Sequence, residues 1–281
     1  METFERSWKI TRASWAVLMR DKELALLPVF AFAAWLVVAA SFLVPLALIV
    51  GDAASDESWT SNPGVWLLGF LFYVSSSYVM IFFNAAVVCG ARERMSGGDP
   101  TMGSALRAAS ERAGVLLPWA IVSATVSMIL RAIEQRSGLI GQIVVSLIGL
   151  AWSLVTFLVL PVLVVERIGP IAAVKRSGEL FKRTWGENVV ANAGIGLVSF
   201  FAIVAGAVVM MPLLMLGGPG VVVGLGAFVV WVGVVLAVSC ALTSIFQMAL
   251  YRFATEGTAP VFGDEYLRAA FQPKKPPFWK S

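Results

Sequence analysis

Residues that could support catalysis are few in this 281-residue chain. It contains no histidine, which is the commonest general base and a frequent metal ligand, and its two cysteines, Cys89 and Cys240, are far apart in the sequence. The three consecutive serines from Ser75 to Ser77 have no base beside them, and serine in an apolar helix usually bonds its own backbone. We therefore expect no catalytic residue, no metal ligand and no cofactor, and we predict that the protein is not an enzyme.

Glycine-rich segments of the chain are typical of helix packing rather than phosphate binding. The run GGPGVVVGLG at residues 217–226 lacks the lysine and the preceding strand of a nucleotide-binding loop. Gly220 and Gly224 instead have the four-residue spacing of small residues that lets two helices approach closely, and Ala202 and Gly206 repeat this spacing. We interpret both pairs as helix contacts.

Three amide side chains form the candidate polar site. Asn84, Asn192 and Gln247 lie 8, 5 and 5 residues, respectively, from a charged residue at the nearest end of their apolar segment. At about 1.5 Å per helical residue, all three lie roughly 7–12 Å inside the same membrane boundary. We expect an intramembrane polar cluster, which either joins helices by hydrogen bonds or lines a cavity open to the cytoplasm.

The elements that must carry these residues are long apolar segments. Hydrophobic residues make up 59% of the chain and charged residues 14%, and about 20 apolar residues suffice to cross a bilayer. Continuous apolar runs, rather than alternating ones, favour helices over a barrel. The sequence therefore predicts an all-α polytopic membrane protein. Its six transmembrane helices are expected at about 26–50, 65–91, 114–133, 140–165, 189–216 and 221–251.

Basic residues are distributed unevenly among the connecting segments. Of the 21 lysines and arginines, only Arg131 and Arg136 fall on one side of the predicted bundle, and the other 19 fall on the opposite side. Cytoplasmic segments are the positively charged ones, so we predict a multi-pass protein of the cytoplasmic (inner) membrane with both termini in the cytoplasm. The chain then divides into an amphipathic helix at 1–25, a transmembrane domain at 26–251, and a tail at 252–281 with a short amphipathic helix and a proline-rich end.

Amphipathic segments precede spans 1, 3 and 5. Each combines an apolar helical stripe with basic residues on its other faces, which is typical of a helix lying in the membrane interface. The stripes are Phe4, Trp8, Trp15 and Leu18; Met102, Leu106, Ala109 and Ala113, after a predicted helix start at Asp99 and Pro100; and Ile171, Val174, Phe181 and Trp185.

The chain can accordingly be divided into three copies of one unit, an interfacial helix followed by a transmembrane hairpin. The alternative is that basic amphipathic loops are a general property of multi-spanning proteins. In either case we predict contacts with anionic inner-leaflet headgroups. The predicted contact residues are Arg6, Lys9, Arg12, Lys175, Arg176, Lys182 and Arg183.

Several segments resemble a group of uncharacterised six-span membrane proteins that is common in actinobacteria and also found in haloarchaea. They include GGDPTMGSALRAA, PVLVVERIGPIAAVKRSGELFKRTWGENVVANAGIGL and YRFATEGTAPVFGDEYLRAAFQPKK, and RSGELFKRTWGEN is the most specific block. The repeated interfacial helix is also loosely similar to the membrane domain of some bacterial glycerophosphodiester phosphodiesterases, whose catalytic domain is absent here. The resemblance implies a fold, but no activity and no site residues.

Two functions are compatible with these observations. The first is a non-enzymatic membrane scaffold, or a partner-docking and lipid-interacting subunit, with a protein partner at its cytoplasmic face. The alternative is a channel or carrier for a small neutral or lipidic substrate. No predicted span has a charged residue in its interior, which argues against proton-coupled transport. The basic charge is spread over membrane-flanking segments without a nucleic-acid-binding motif, so we expect no nucleic-acid partner.

Overall fold

The structure of the protein, a computed structural model, describes residues 22–50, 62–215 and 219–256. Several predicted features lie outside the described residues. They are the amino-terminal helix with Arg6, Lys9 and Arg12, the loop at 51–61, residues 216–218 of the turn between the last two spans, and the tail from residue 257.

All regular structure in the described ranges is α-helical, as the apolar segments predict. The chain folds around α2, which contacts α1, α3, α4, α6 and α8, while α7 and α8 form the most extensive helix pair. The described ranges contain eight helices: α1 Lys22–Val50, α2 Pro63–Met95, α3 Met102–Ser110, α4 Ala113–Arg136, α5 Leu139–Thr156, α6 Val159–Glu166, α7 Pro170–Met215 and α8 Pro219–Glu256.

Six of these segments, with α5 and α6 counted together, are long and apolar enough to cross a membrane. Within the described ranges, the number of helices able to cross a membrane is therefore the predicted six. The spans are Leu26–Leu48, Pro63–Met95, Ala113–Arg136, Leu139–Glu166, Ile195–Pro212 and Val223–Glu256.

The packed core lies at one end of the bundle. We call this the basic end, because Arg112, Arg176 and Arg252 lie there, where α2, α6 and α8 finish and α4 and α7 start. Residues 85–91 of α2 and most of residues 241–251 of α8 are buried in this core. Many large apolar side chains outside the core are exposed, as expected of surfaces that face lipid.

Small residues allow the helices to approach closely in this core. A Cβ atom added to Gly90 of α2 would lie 2.5 Å from Cδ2 of Leu24 in α1, and Leu24 is itself fully buried. The neighbouring Ala85, Ala86 and Ala91 are also fully buried. Because small side chains bring backbones together, the first two helices pack tightly at the basic end.

The fourth predicted span is interrupted rather than continuous. Helix α5 ends at Thr156, residues 157 and 158 form a turn, and α6 begins at Val159. Pro161 explains the break, because its ring lacks an N–H and clashes with the carbonyl group four residues earlier, that of Phe157. The interruption leaves backbone groups that must find partners elsewhere.

The predicted interfacial position of α3 is not confirmed. Ala105 and Ala109 are buried, and the helix packs on α2. The predicted start at Asp99 and Pro100 is wrong by a residue or two: Thr101 is the N-cap, and it exchanges side-chain to backbone hydrogen bonds of 3.1 and 3.0 Å with Ser104. This reciprocal arrangement is a capping box, in which serine replaces the usual acidic residue.

The predicted amphipathic helix before span 5 is also not confirmed as a separate element. Residues 170–215 form one helix, α7. The predicted stripe is divided: Ile171 is 70% exposed, whereas Phe181 is buried together with Ala173, Ser177 and Leu180, which lie off the stripe. The small side chain of Ser177 lies where this face meets the break between α5 and α6.

Two polar contacts join α7 to α8 in the membrane-spanning region. The hydroxyl oxygens of Ser199 and Ser239 are 2.5 Å apart. The indole N–H of Trp231 donates to the carbonyl oxygen of Ala202 over 2.9 Å. Gly206, one turn beyond Ala202, lies under the same indole ring, so the predicted contact of Ala202 and Gly206 with a neighbouring helix is confirmed.

We expect Gly206→Ala to destabilise the protein by about 2 kcal/mol, as overpacking of a close contact does. The new Cβ atom would overlap the Trp231 ring, which cannot move without losing its hydrogen bond to Ala202. The matched control is Gly233→Ala, where the added Cβ meets nothing within 4 Å. That control should gain about 0.5–1 kcal/mol from helix propensity. Unfolding in mixed micelles measures both, and shifts of the same sign would contradict the proposed contact.

Candidate functional site

The structure gives Asn84, the first residue of the predicted amide cluster, an unexpected partner. The thiol of Cys240 in α8 donates to Oδ1 of Asn84 over 2.8 Å. Gln247 lies seven residues after Cys240, or about 10 Å further along α8 toward the basic end. The side chain of Asn192 is outside the described part, so the three-amide cluster stays a prediction. The sequence offered no signal for the Cys240 contact, since a buried cysteine normally acts as a small hydrophobe.

The predicted headgroup-binding residues of α7 differ in their surroundings. Lys175 and Lys182 are exposed. Arg176 is held by the protein itself, because its Nε donates to Oε1 of Glu166 over 3.0 Å. The side chain of Arg183 lies outside the described part. Headgroup contact by these residues therefore stays a prediction, and the described contacts give Arg176 a second, structural role.

Glu166 connects three helices at the basic end. Its Oε1 atom accepts hydrogen bonds from Arg176 of α7 and from the hydroxyl of Tyr251 in α8, each 3.0 Å long. The hydrogen bond to Glu166 raises the pKa of the Arg176 guanidinium, which stabilises a cation that arginine carries at physiological pH in any case. Glu166 closes α6, so the carboxylate joins the ends of α6, α7 and α8.

Ser177 supplies hydrogen-bond partners for backbone groups at the break in the fourth span. Its hydroxyl accepts from the backbone N–H of Leu158 over 3.1 Å and donates to the carbonyl oxygen of Val155 over 2.5 Å. Ser177 is fully buried, so water cannot take over these bonds. The side chain thus satisfies one donor and one acceptor that the end of α5 leaves unpaired.

Arg112 binds the carboxyl-terminal ends of two helices. Its Nε donates to the carbonyl oxygen of Val164 in α6 over 2.7 Å, and its Nη1 donates to that of Ala108 in α3. The side chain is only 9% exposed. A cation suits this position, since carbonyl groups in the last turn of a helix carry partial negative charge.

Arg252 and Glu23 also form hydrogen bonds with backbone groups at helix ends. Nη1 of Arg252 donates to the carbonyl oxygen of Met95, the last residue of α2, over 2.8 Å. Oε2 of Glu23 accepts from the backbone N–H of Met102, the first residue of α3, over 2.9 Å. Cationic side chains therefore bind carbonyl groups at helix carboxyl ends, and an anionic side chain binds an N–H group at the amino end of α3. Sequence reasoning missed these roles because it assigned the charges to topology alone.

Arg167 has an uncommon backbone conformation between α6 and α7. Its φ and ψ are 54° and 33°, the left-handed region, in which it is the one non-glycine residue of the described part with positive φ. This conformation costs a residue with a Cβ roughly 1–2 kcal/mol. Glycine is the usual residue at such helix ends, so arginine is uncommon at this position.

The side-chain contacts described above join the ends of neighbouring helices at the basic end. Within the described ranges, no group of three or more histidine, cysteine, aspartate or glutamate side chains is placed to hold a metal ion. Arg112, Arg176 and Arg252 bond to groups on other helices, whereas Lys175 and Lys182 are exposed.

Six long apolar helices, joined at the basic end by hydrogen bonds from charged side chains, define a polytopic α-helical membrane protein. The chain belongs to the Family of unknown function (DUF6159), which its residues 64–261 match. This range covers most of the basic-end contacts but not α1. No curated protein and no solved structure matches the chain. The resemblance to an uncharacterised membrane family is confirmed, whereas its distribution and the similarity to the phosphodiesterase membrane domain stay predictions.

Proposed function

We propose that the protein is a non-enzymatic scaffold of the cytoplasmic membrane whose basic end faces the cytoplasm. There it contacts anionic lipids of the inner leaflet and offers a docking surface to a protein partner. The observation that carries the proposal is the exposure of Lys175 and Lys182. They lie seven residues apart on α7, which places both on one helical face.

The rest of α7 holds this face in place. Ser177 and Leu180 are buried between the two lysines in sequence, and Arg176 bonds to Glu166. Lys175 and Lys182 therefore project from a helix that is attached to the core, not from a loose segment. A fixed row of cations suits contact with a negatively charged leaflet or an acidic partner surface.

A channel or carrier is the second candidate, and the break in the fourth span favours it. Discontinuous helices often line substrate sites in transporters, since their free backbone groups bind ligands. Here Ser177 occupies the N–H of Leu158 and the carbonyl of Val155. Because Ser177 already bonds to both backbone groups, they are not available to a substrate, and we therefore favour the scaffold function over transport.

Thiol labelling in cells tests the orientation on which the proposal depends. Lys182→Cys should react with a membrane-impermeant maleimide only after the cells are permeabilised, and Arg136→Cys, at the opposite end of the bundle, should react in intact cells. Cys89 is buried, and unsubstituted protein reports any background from Cys240. Labelling of Lys182→Cys in intact cells would place the basic end outside the cytoplasm and remove the proposed role.

A further inference from the structure

Three guanidinium groups surround the carboxylate of Glu111 at the basic end. Nε of Arg107 is 3.8 Å from its Oε1, while Nη1 of Arg112 and Nη2 of Arg167 are 4.0 and 3.9 Å from its Oε2. These distances exceed hydrogen-bond length, so Glu111 balances part of the charge without pairing closely with any of the three. We call these four residues the Glu111 cluster, and its formal charge is +2.

Two of the three arginines are available to a ligand. The side chains of Arg107 and Arg167 are 85% and 58% exposed. Within the described ranges neither of these two guanidinium groups donates a hydrogen bond. The guanidinium group of Arg112, in contrast, is held by hydrogen bonds to the carbonyl groups of Ala108 and Val164. The cluster therefore combines an anchored cation with two cations that have free donors.

The position of the cluster in the chain sets its depth in the membrane. Glu111 and Arg112 immediately precede the span Ala113–Arg136, and Arg167 immediately follows the span Leu139–Glu166. Residues directly beside two span ends lie at the level of lipid headgroups. Guanidinium groups bind phosphate through paired, charge-assisted hydrogen bonds, which a lone ammonium group cannot match.

We propose that the Glu111 cluster is a binding site for the phosphate group of an anionic phospholipid, with Arg107 and Arg167 as ligands and Glu111 as the group that the phosphate displaces. The proposal rests on the lipid-interacting function above and specifies a lipid class. It uses different residues from Lys175 and Lys182, so the two proposals can fail separately.

The backbone of Arg167 supports a ligand-binding role. Its left-handed conformation would suit glycine better, so the turn alone gives no reason for a long cationic side chain. Its ion pair with Glu111 is too long and too exposed to stabilise the fold appreciably. Contact with an anion outside the chain accounts for both features.

Native mass spectrometry of the full-length protein, purified in mild detergent and titrated with phosphatidylglycerol or phosphatidylcholine, tests the site. Phosphatidylglycerol should bind more tightly than phosphatidylcholine to the unsubstituted protein. The double variant Arg107→Gln/Arg167→Gln should bind phosphatidylglycerol about a hundredfold more weakly, since each lost charge-assisted hydrogen bond costs about tenfold in affinity. Glu111→Gln should bind it more tightly, because the competing carboxylate is gone. Equal affinity in all three proteins would overturn the proposal.

Two further arms distinguish a phospholipid site from a purely structural cluster and from a site for soluble phosphate. Arg167→Gly should bind phosphatidylglycerol more weakly yet melt at a higher temperature, whereas an arginine with a purely structural role would lower the melting temperature when replaced. Lys175→Gln/Lys182→Gln should leave the effect of Glu111→Gln intact, even if the scaffold proposal fails. Displacement of phosphatidylglycerol by millimolar inorganic phosphate would reassign the site to a soluble phosphate and overturn the lipid assignment.

Discussion

Ser177→Ala is expected to destabilise the protein by about 2–3 kcal/mol, because it leaves a buried N–H and a buried carbonyl group without partners. The two groups are the N–H of Leu158 and the carbonyl of Val155, at the break between α5 and α6. Neither can recruit water readily, since Ser177 is fully buried. Reversible unfolding in mixed micelles measures the loss.

Ser153→Ala is the matched control for this substitution. The hydroxyl of Ser153 donates to the carbonyl oxygen of Gly149 within its own helix, and Ser153 is exposed. The Ser153 hydroxyl forms no hydrogen bond with a group at the break, so we expect its removal to change the free energy of unfolding by less than about 0.5 kcal/mol. If the two alanine variants unfolded at the same denaturant concentration, Ser177 would not be the group that stabilises the break.

Arg112→Met is expected to cost about 3 kcal/mol, since each hydrogen bond to a charged group contributes about 1.5–3 kcal/mol. The substitution keeps most of the apolar stem but removes the cation from the ends of α3 and α6, where it binds the carbonyl groups of Ala108 and Val164. Both ends would then lack a partner for a carbonyl group in the last turn. The same unfolding assay reports the effect.

Two comparisons make this second prediction specific. Arg107→Met removes a cation that is 85% exposed and 3.8 Å from Glu111, so it should change stability by less than about 0.5 kcal/mol. Arg112→Lys should recover only part of the loss, because an ammonium group lacks the planar fork that reaches two carbonyl groups. Equal losses for Arg112→Met and Arg107→Met would show that net charge, rather than helix-end binding, determines stability at the basic end.

The helical spans could be predicted because the requirement behind them is local. Each must present about 20 apolar residues to hydrocarbon and pair its own backbone groups, and both conditions are visible in one continuous segment. Pro161 in the sequence also marks the place where the fourth span breaks. The partner that repairs this break, Ser177, follows only after the chain has turned back at Arg167.

The packed face of α7 could not be predicted from the sequence. The apolar stripe of the predicted interfacial helix did not include Ala173 or Ser177, yet both are fully buried. Burial at this face depends on how closely α7 approaches the end of α5. At Ala173 and Ser177 the small side chains permit that approach, and this effect of size is not visible in a pattern of apolar residues.

The amino-acid sequence by itself determined that this protein is a helical membrane protein with six spans, because the apolar length and backbone pairing of each span are properties of the segment alone. Only the tertiary structure decided what the charges at the basic end do. Arg112, Glu166 and Arg252 bind groups on other helices, and such pairings depend on distances that folding creates. The same folding brings Arg107 and Arg167 to one carboxylate, and the proposed phosphate site exists for that reason.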